Sequence, residues 1–223
     1  MTRSNPWVVS GRRSLRAAAA GAALVGILFG GLLTGCSAGT VTQGAVPPAS
    51  ASPAAMSAAP LAVPAVTPMS SSVPTRVEVP SIGVESSLRQ LGLNPDRTIE
   101  VPPLSEAGQA GWFKYRATPG AVGAAVILGH IDGGGQEGVF FRLADTQPGA
   151  QITVTRADRS KATFTVSAVR EFPKTNFPTD LVYGMTADSE LRLISCGGVL
   201  DKKAHNYLSN VIVFATLTGA APA

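Results

Sequence analysis

The sequence predicts a mainly β domain, closed or nearly closed as a barrel, with short helices and a disordered tether ahead of it. Three observations lead there. From about Thr75 onward, apolar or alternating runs recur at short intervals, each bounded by turn residues. Helical periodicity is scarce over the same stretch. Before it, the chain carries a long uncharged segment rich in Ala, Pro and Ser. About eight strands in one domain of this size favour closure, because closure removes unpaired strand edges.

Residues 1–35 read as an export signal. Arg3, Arg12, Arg13 and Arg16 give a basic start, and Ala17 to Leu33 carries no charge. Leu33-Thr34-Gly35-Cys36 closes the run with an aliphatic residue, small residues and a cysteine. This box resembles that of bacterial lipoproteins, whose cysteine is acylated and becomes the mature N-terminus. A plain N-terminal membrane anchor is the alternative, since the uncharged run approaches the length that spans a bilayer. Either one tethers the protein to the extracytoplasmic face of the cell membrane. Acyl chains on Cys36 would contribute roughly 0.8 kcal/mol per buried methylene. Arg12-Arg13 leaves twin-arginine export open beside the general route. Removing residues 1–35 takes away those four arginines and no acidic residue, so the formal +4 falls to about zero. Net charge is therefore no argument for nucleic acid or anionic lipid as a partner.

Residues 36–73 form the tether. Pro47, Pro48, Pro53, Pro60, Pro64 and Pro68 recur through it. Each proline removes a backbone donor and biases the residue before it toward an extended form. Low complexity of this kind reaches away from a bilayer and carries no site. The folded domain is expected over 74–218, with a short tail at 219–223. Its strands are expected at Arg76–Val79, Ser87–Leu91, Thr98–Val101, Ala124–Gly129, Gln151–Arg156, Ala162–Val169, Leu191–Ser195 and Val211–Leu217. Gln151-Ile152-Thr153-Val154 and Thr163-Phe164-Thr165-Val166 alternate with the two-residue period of a half-buried strand. Asn94-Pro95-Asp96, Pro119-Gly120, Asp132–Gly135 and Gln147-Pro148-Gly149 mark turns. Val139–Ala144 allows one short turn of helix.

Two segments carry the chemistry. Val126-Ile127-Leu128-Gly129-His130-Ile131-Asp132 ends an apolar run on a histidine, and Leu191-Arg192-Leu193-Ile194-Ser195-Cys196-Gly197-Gly198 ends another on a cysteine. The chain has only two histidines and two cysteines, and Cys36 belongs to the N-terminal box. Cys196 is therefore expected to be an unpaired thiol in an exported protein. A thiol is a strong nucleophile once deprotonated, and an imidazole partner can take its proton. Gly197 and Gly198 would leave room for an acyl substrate. The alternative is a small buried hydrophobe, the usual fate of a lone cysteine. His130 alone could equally be a satisfied histidine at a strand end. His130 and Asp132 with no further cluster cannot fill a zinc site, so no metal and no cofactor is expected. Gly133-Gly134-Gly135 lacks the Lys-Ser/Thr and helix of a phosphate loop.

The order of segments resembles the sortases, cysteine transpeptidases of Gram-positive surfaces, and within them the actinobacterial classes F or E. The markers are Val79-Pro80-Ser81-Ile82-Gly83-Val84, Ala110-Gly111-Trp112-Phe113, Leu128–Asp132, Val139-Phe140-Phe141-Arg142-Leu143, Lys174 with Phe177-Pro178, and Leu193–Gly198. Ser195 stands where the family has Thr. The resemblance implies an eight-stranded sortase-type barrel. It implies that Cys196 attacks the Thr–Gly bond of an LPXTG-like sorting signal and forms a thioester. An amine of a peptidoglycan precursor or another acceptor then releases the acyl chain. His130 would protonate the leaving amine and deprotonate the incoming one, work suited to imidazole. Asp132, on the same strand face, is a candidate to orient His130.

One departure stands out. Sortases place an arginine on the strand after the cysteine, where it stabilises the developing oxyanion. No arginine follows Cys196 in this chain. Counting back from Ala215 places Asn210 at the arginine's position. Lys202 or Lys203 in the intervening loop could supply a cation, though without arginine's planar fork. Arg192 shares a strand face with Ile194 and Cys196 and is a further candidate. His205 lies in the same polar loop, where an exposed histidine is ordinary. The missing arginine leaves a second reading open: a catalytically impaired lipoprotein that binds wall or sorting peptides. A peptidoglycan-crosslinking L,D-transpeptidase fits poorly, because Leu193-Ile194-Ser195 replaces the Ser-His-Gly expected before its cysteine.

Overall fold

Strand alternation builds a wall with two apolar faces. The computed structural model describes residues 66–223. The export signal, Cys36 and most of the tether lie outside the described residues. In β7 (Gln151–Arg156), Ile152 and Val154 point inward while Thr153 and Thr155 are partly exposed. The first half of β8 (Lys161–Pro173) repeats this with Ala162, Phe164 and Val166. Such β-branched and aromatic residues suit a pleated, half-buried surface.

The other barrel strands are β1 (Pro74–Val79), β2 (Val84–Leu91), β3 (Ala110–Phe113), β4 (Gly123–Leu128), β9 (Ser189–Asp201) and β10 (Asn206–Ala221). A small hairpin, β5 (Asp132–Gly133) with β6 (Gln136–Glu137), stands apart from the wall. The barrel closes in the order β1-β2-β3-β4-β9-β10-β8-β7. Pairs β2–β3 and β4–β9 are parallel; the other pairs in the ring are antiparallel. The eight-stranded barrel expected from the sequence is the fold observed.

β4, and β9 from Leu191 to Gly197, are buried on both faces, the pattern of covered parallel strands. Ala125, Ile127, Leu191 and Leu193 face the barrel interior with Val213 and Phe164. Val126, Leu128, Ile194 and Cys196 face outward into a second cluster with Ile212 and Phe214. That outer face is roofed by α1 (Thr179–Tyr183), whose Val182 and Tyr183 are buried against it. Phe177 and Phe113 meet the Tyr183 ring at centroid distances of 5.9 Å and 6.4 Å. Burial pushes the Tyr183 phenol well above its ordinary pKa.

Several expectations change. Thr98–Val101 is not a strand; only an isolated bridge joins Leu93 to Ile99. Pro102 and Pro103 follow directly and end the extension. Ala110–Phe113 takes the vacant place in the ring as β3, hidden in the sequence because it is short and buried at every position. Val139–Ala144 yields only a 3-10 turn over Leu143–Asp145, and α1 was not foreseen.

The domain begins earlier than Pro74. Val66 and Met69 pack against the interior cluster. Met69 N–H donates to the Gly120 carbonyl at 2.7 Å, and Ala157 N–H donates to the Val73 carbonyl at 2.8 Å. The fully buried Arg156 guanidinium donates to the Ser70 carbonyl. The last tether residues thus form a strap across one end of the barrel. A chain beginning at Pro74 is expected to be less stable than one beginning at Val66 by about 2–3 kcal/mol, the scale of burying one large apolar side chain. Urea unfolding of the two chains measures this, and equal midpoints would show that the strap adds nothing.

Candidate active site

The ladder register brings the expected residues together. In the parallel β4–β9 pair, Leu128 lies opposite Ile194. Gly129 N–H extends the ladder by donating to the Ile194 carbonyl at 3.1 Å. One step further, His130 leaves β4 beside Cys196. On the other side, the antiparallel β9–β10 pair sets Asn210 directly across from Cys196, and β8 sets Phe172 across from Asn210. Side chains directly opposite share a face, with Cβ atoms about 5 Å apart. His130, Cys196 and Asn210 therefore form one row across three neighbouring strands.

His130 and Cys196 line a groove of about 1260 Å³. Its lining also includes Asp132, Asn206, Tyr207 and His205, together with Asn94, Glu100 and Leu104. Cys196 is 7% exposed and is a free thiol. His130 is equally buried, and its Nε2 lies 2.6 Å from the Pro102 carbonyl oxygen. A carbonyl only accepts, so Nε2 carries the proton and Nδ1 keeps the lone pair in the neutral ring. The backbone of Pro102 thereby does the orienting expected of Asp132. The Asp132 carboxylate instead accepts from the Tyr207 hydroxyl. That hydrogen bond, with burial and the negative charges nearby, pushes the Tyr207 phenol up to about 12.

The cation beside the thiol is Lys174. Its Nζ lies 3.7 Å from Cys196 Sγ and donates to Asn206 Oδ1 at 2.7 Å. Burial pushes the Cys196 thiol up from its ordinary pKa; Lys174 pulls it back, and Asp132 adds to the rise. Burial pushes the Lys174 ammonium down, and the thiolate's charge opposes this.

The other expected cations are elsewhere. Lys202 and Lys203 are exposed in the turn after β9 and are not among the groove-lining residues. Arg192 stacks over the Phe214 ring at 4.6 Å and pairs with Glu190. Four residues back along an extended strand is about 13 Å from the cysteine. Asn210 is 3% exposed, and its Oδ1 has no hydrogen-bond partner. His205 reaches the groove wall despite its loop position. Ser195 is fully buried on the opposite face from Cys196, and its hydroxyl has no partner.

The glycines after the cysteine answer to packing as well as to access. A Cβ on Gly197 would lie 2.5 Å from Val211 Cγ2, and Gly198 sits at φ +72° with Glu171 and Ser209 pressed against it. Sequence reasoning missed the role of Lys174, although the residue is one of the family markers. What identifies it is the register: β8 pairs Phe172 with Asn210 and Pro173 with Ser209, so Lys174 leaves the ladder two steps from the Asn210–Cys196 row.

Residues 77–218 match the family model for the sortase domain. The chain belongs to the sortase family. Three solved sortases share the fold. Listeria monocytogenes sortase A has 16% identity and a TM-score of 0.52, over 69% of this chain and 92% of that one. Streptococcus pneumoniae sortase C has 18% identity and a TM-score of 0.51, over 67% of this chain and 69% of that one. Corynebacterium diphtheriae sortase A has 16% identity and a TM-score of 0.51, over 67% of this chain and 62% of that one. Among curated proteins, sequence comparison finds no match. Sortases are cysteine transpeptidases acting on sorting signals and amine acceptors, and a nucleophile beside an imidazole in a groove is the equipment such acyl transfer needs.

The raised thiol pKa makes a testable prediction. Alkylation of Cys196 by iodoacetamide is expected to be slow at pH 7. It should climb about tenfold per pH unit, levelling off only above the ordinary thiol range. A plateau already reached by pH 7 would contradict the dominance of burial.

Proposed function

We propose that this sortase cleaves an LPXTG-like sorting signal through a thioester on Cys196 and passes the acyl chain to a cell-wall amine. What supports the reading is that His130 and Cys196 line one groove, with Asn210 paired directly across from the cysteine in the neighbouring strand. His130 takes the thiol proton on Nδ1 as Sγ attacks the scissile carbonyl carbon. It returns that proton to the leaving amine when the C–N bond breaks. The incoming amine then gives a proton to the same nitrogen and displaces sulfur. The Asn210 side-chain amide, directly across from the thiol, is suited to donate a neutral hydrogen bond to the oxyanion. The low exposure of the thiol keeps water from competing for the thioester before an amine arrives.

The sequence markers further support an enzyme of actinobacterial class F or E type. Leu33-Thr34-Gly35-Cys36 supports lipid attachment at Cys36 after removal of residues 1–35, which would hold the enzyme at the extracytoplasmic membrane face. A second reading, an impaired sortase-fold lipoprotein that binds peptides, draws on one observation: no arginine follows Cys196, and β10 carries no cation.

Both readings face the same experiment. Incubated with a panel of sorting peptides, the protein is expected to gain an acyl mass on Cys196, and Cys196→Ala abolishes the adduct and all cleavage. If no peptide acylates the thiol while several bind, the binding reading takes over. For the anchor, Cys36→Ala is expected to leave the precursor at full length. A mature wild type that retains residue 1 would instead favour a plain membrane anchor.

A further inference from the structure

We propose that Lys174 is a catalytic residue of this sortase and supplies the positive charge that β10 lacks. The inference rests on the acyl-transfer reading above. β10 carries neither arginine nor lysine along its whole length, so no cation can come from the strand after the cysteine. Lys174 approaches the thiol from another direction. β8 ends at Pro173, across from Ser209, and Lys174 emerges beside the Cys196–Asn210 pair. Its ammonium sits 3.7 Å from Sγ, and Asn206 Oδ1 steadies it from β10 at 2.7 Å. Among the described residues no carboxylate forms an ion pair with Lys174. Burial makes an unanswered charge costly, and the group placed to answer it is a thiolate or an oxyanion.

In the acylation step, His130 Nδ1 accepts the thiol proton, and the thiolate forms beside the Lys174 ammonium. A sulfur lone pair makes the S–C bond, and the carbonyl π pair moves to oxygen. Lys174, still protonated, donates an N–H to that oxygen. The C=O bond reforms, the C–N bond breaks, and His130 returns its proton to the leaving amine. Lys174 is unchanged at the end. The other charged or titratable groups facing the thiol are His130 at the end of β4, Asp132 on β5 and Tyr207 on β10. Glu171 on β8 abuts Gly198. Asp132 opposes a thiolate, which leaves Lys174 as the cation in contact with sulfur.

The test uses the full chain in detergent, with Lys174→Met and Lys174→Arg compared to wild type. Two readouts are taken: the pH profile of Cys196 alkylation, mapped by peptide mass spectrometry, and the acylation rate with the best sorting peptide. Thermal unfolding checks that each variant is folded. Lys174→Met is expected to move the alkylation midpoint up by about one pH unit, the size of one neighbouring charge. It should slow acylation by about a hundredfold, the scale of one lost oxyanion donor. Lys174→Arg should keep most of both. An alkylation profile unchanged in folded Lys174→Met overturns the pairing, whatever the peptides do. A shifted profile with unchanged acylation overturns the oxyanion role. A shifted profile in a protein that no peptide acylates overturns the acyl-transfer reading, and the catalytic role with it.

Discussion

The parallel pairing of β4 with β9 is the constraint on which the site depends. Leu128 opposite Ile194 carries His130 to the flank of Cys196, and a slip of one residue would turn one of the two side chains into the barrel interior. The register is held by apolar burial on both faces. Ile127 and Leu193 are locked inside, and Leu128 and Ile194 are locked outside beneath α1. The histidine and cysteine need no local rigidity of their own, because the buried stretches of two strands deliver them. β10 extends the same logic, placing Asn210 across from the thiol.

Burial that stabilises the register also disfavours the thiolate. Cys196 belongs to an apolar cluster, and its pKa is raised accordingly. The polar groups around it divide in their effect. Asp132 opposes ionisation, and its hydrogen bond from Tyr207 holds that carboxylate at the groove wall. Lys174, in contact with the sulfur, favours ionisation. A resting neutral thiol that ionises only as a base and a cation act on it is protected from the oxidation to which a standing thiolate is prone.

Much of the architecture was legible in the sequence. Period-two alternation exposed β7 and β8, and apolar runs ending in His130 and Cys196 exposed β4 and β9. β3 was not legible, because four consecutive buried residues show no alternation. The false strand at Thr98–Val101 has the right composition but runs into Pro102-Pro103. At the site, proximity in sequence misled. Lys202 and Lys203 follow the cysteine closely yet sit in a turn beyond the groove lining, and Arg192 shares a strand face but is occupied by Glu190 and Phe214. Lys174, 22 residues before the thiol, touches it because β8 and β9 are both neighbours of β10 in the register. Likewise Pro102, rather than the nearer Asp132, holds the imidazole. Partners set by where a strand ends or a loop returns leave no local pattern to read.

The most direct measurement is a crystal structure of the tetrahedral adduct formed when Cys196 adds to a peptidyl aldehyde whose sequence follows a sorting signal. The adduct's oxygen stands in for the oxyanion of the transferring acyl group. The row and its flanking cation predict that this oxygen lies within hydrogen-bond distance of Lys174 Nζ or the Asn210 amide, with His130 Nδ1 turned toward the sulfur. An oxygen directed away from both, with His130 Nδ1 out of reach of the sulfur, would contradict the account.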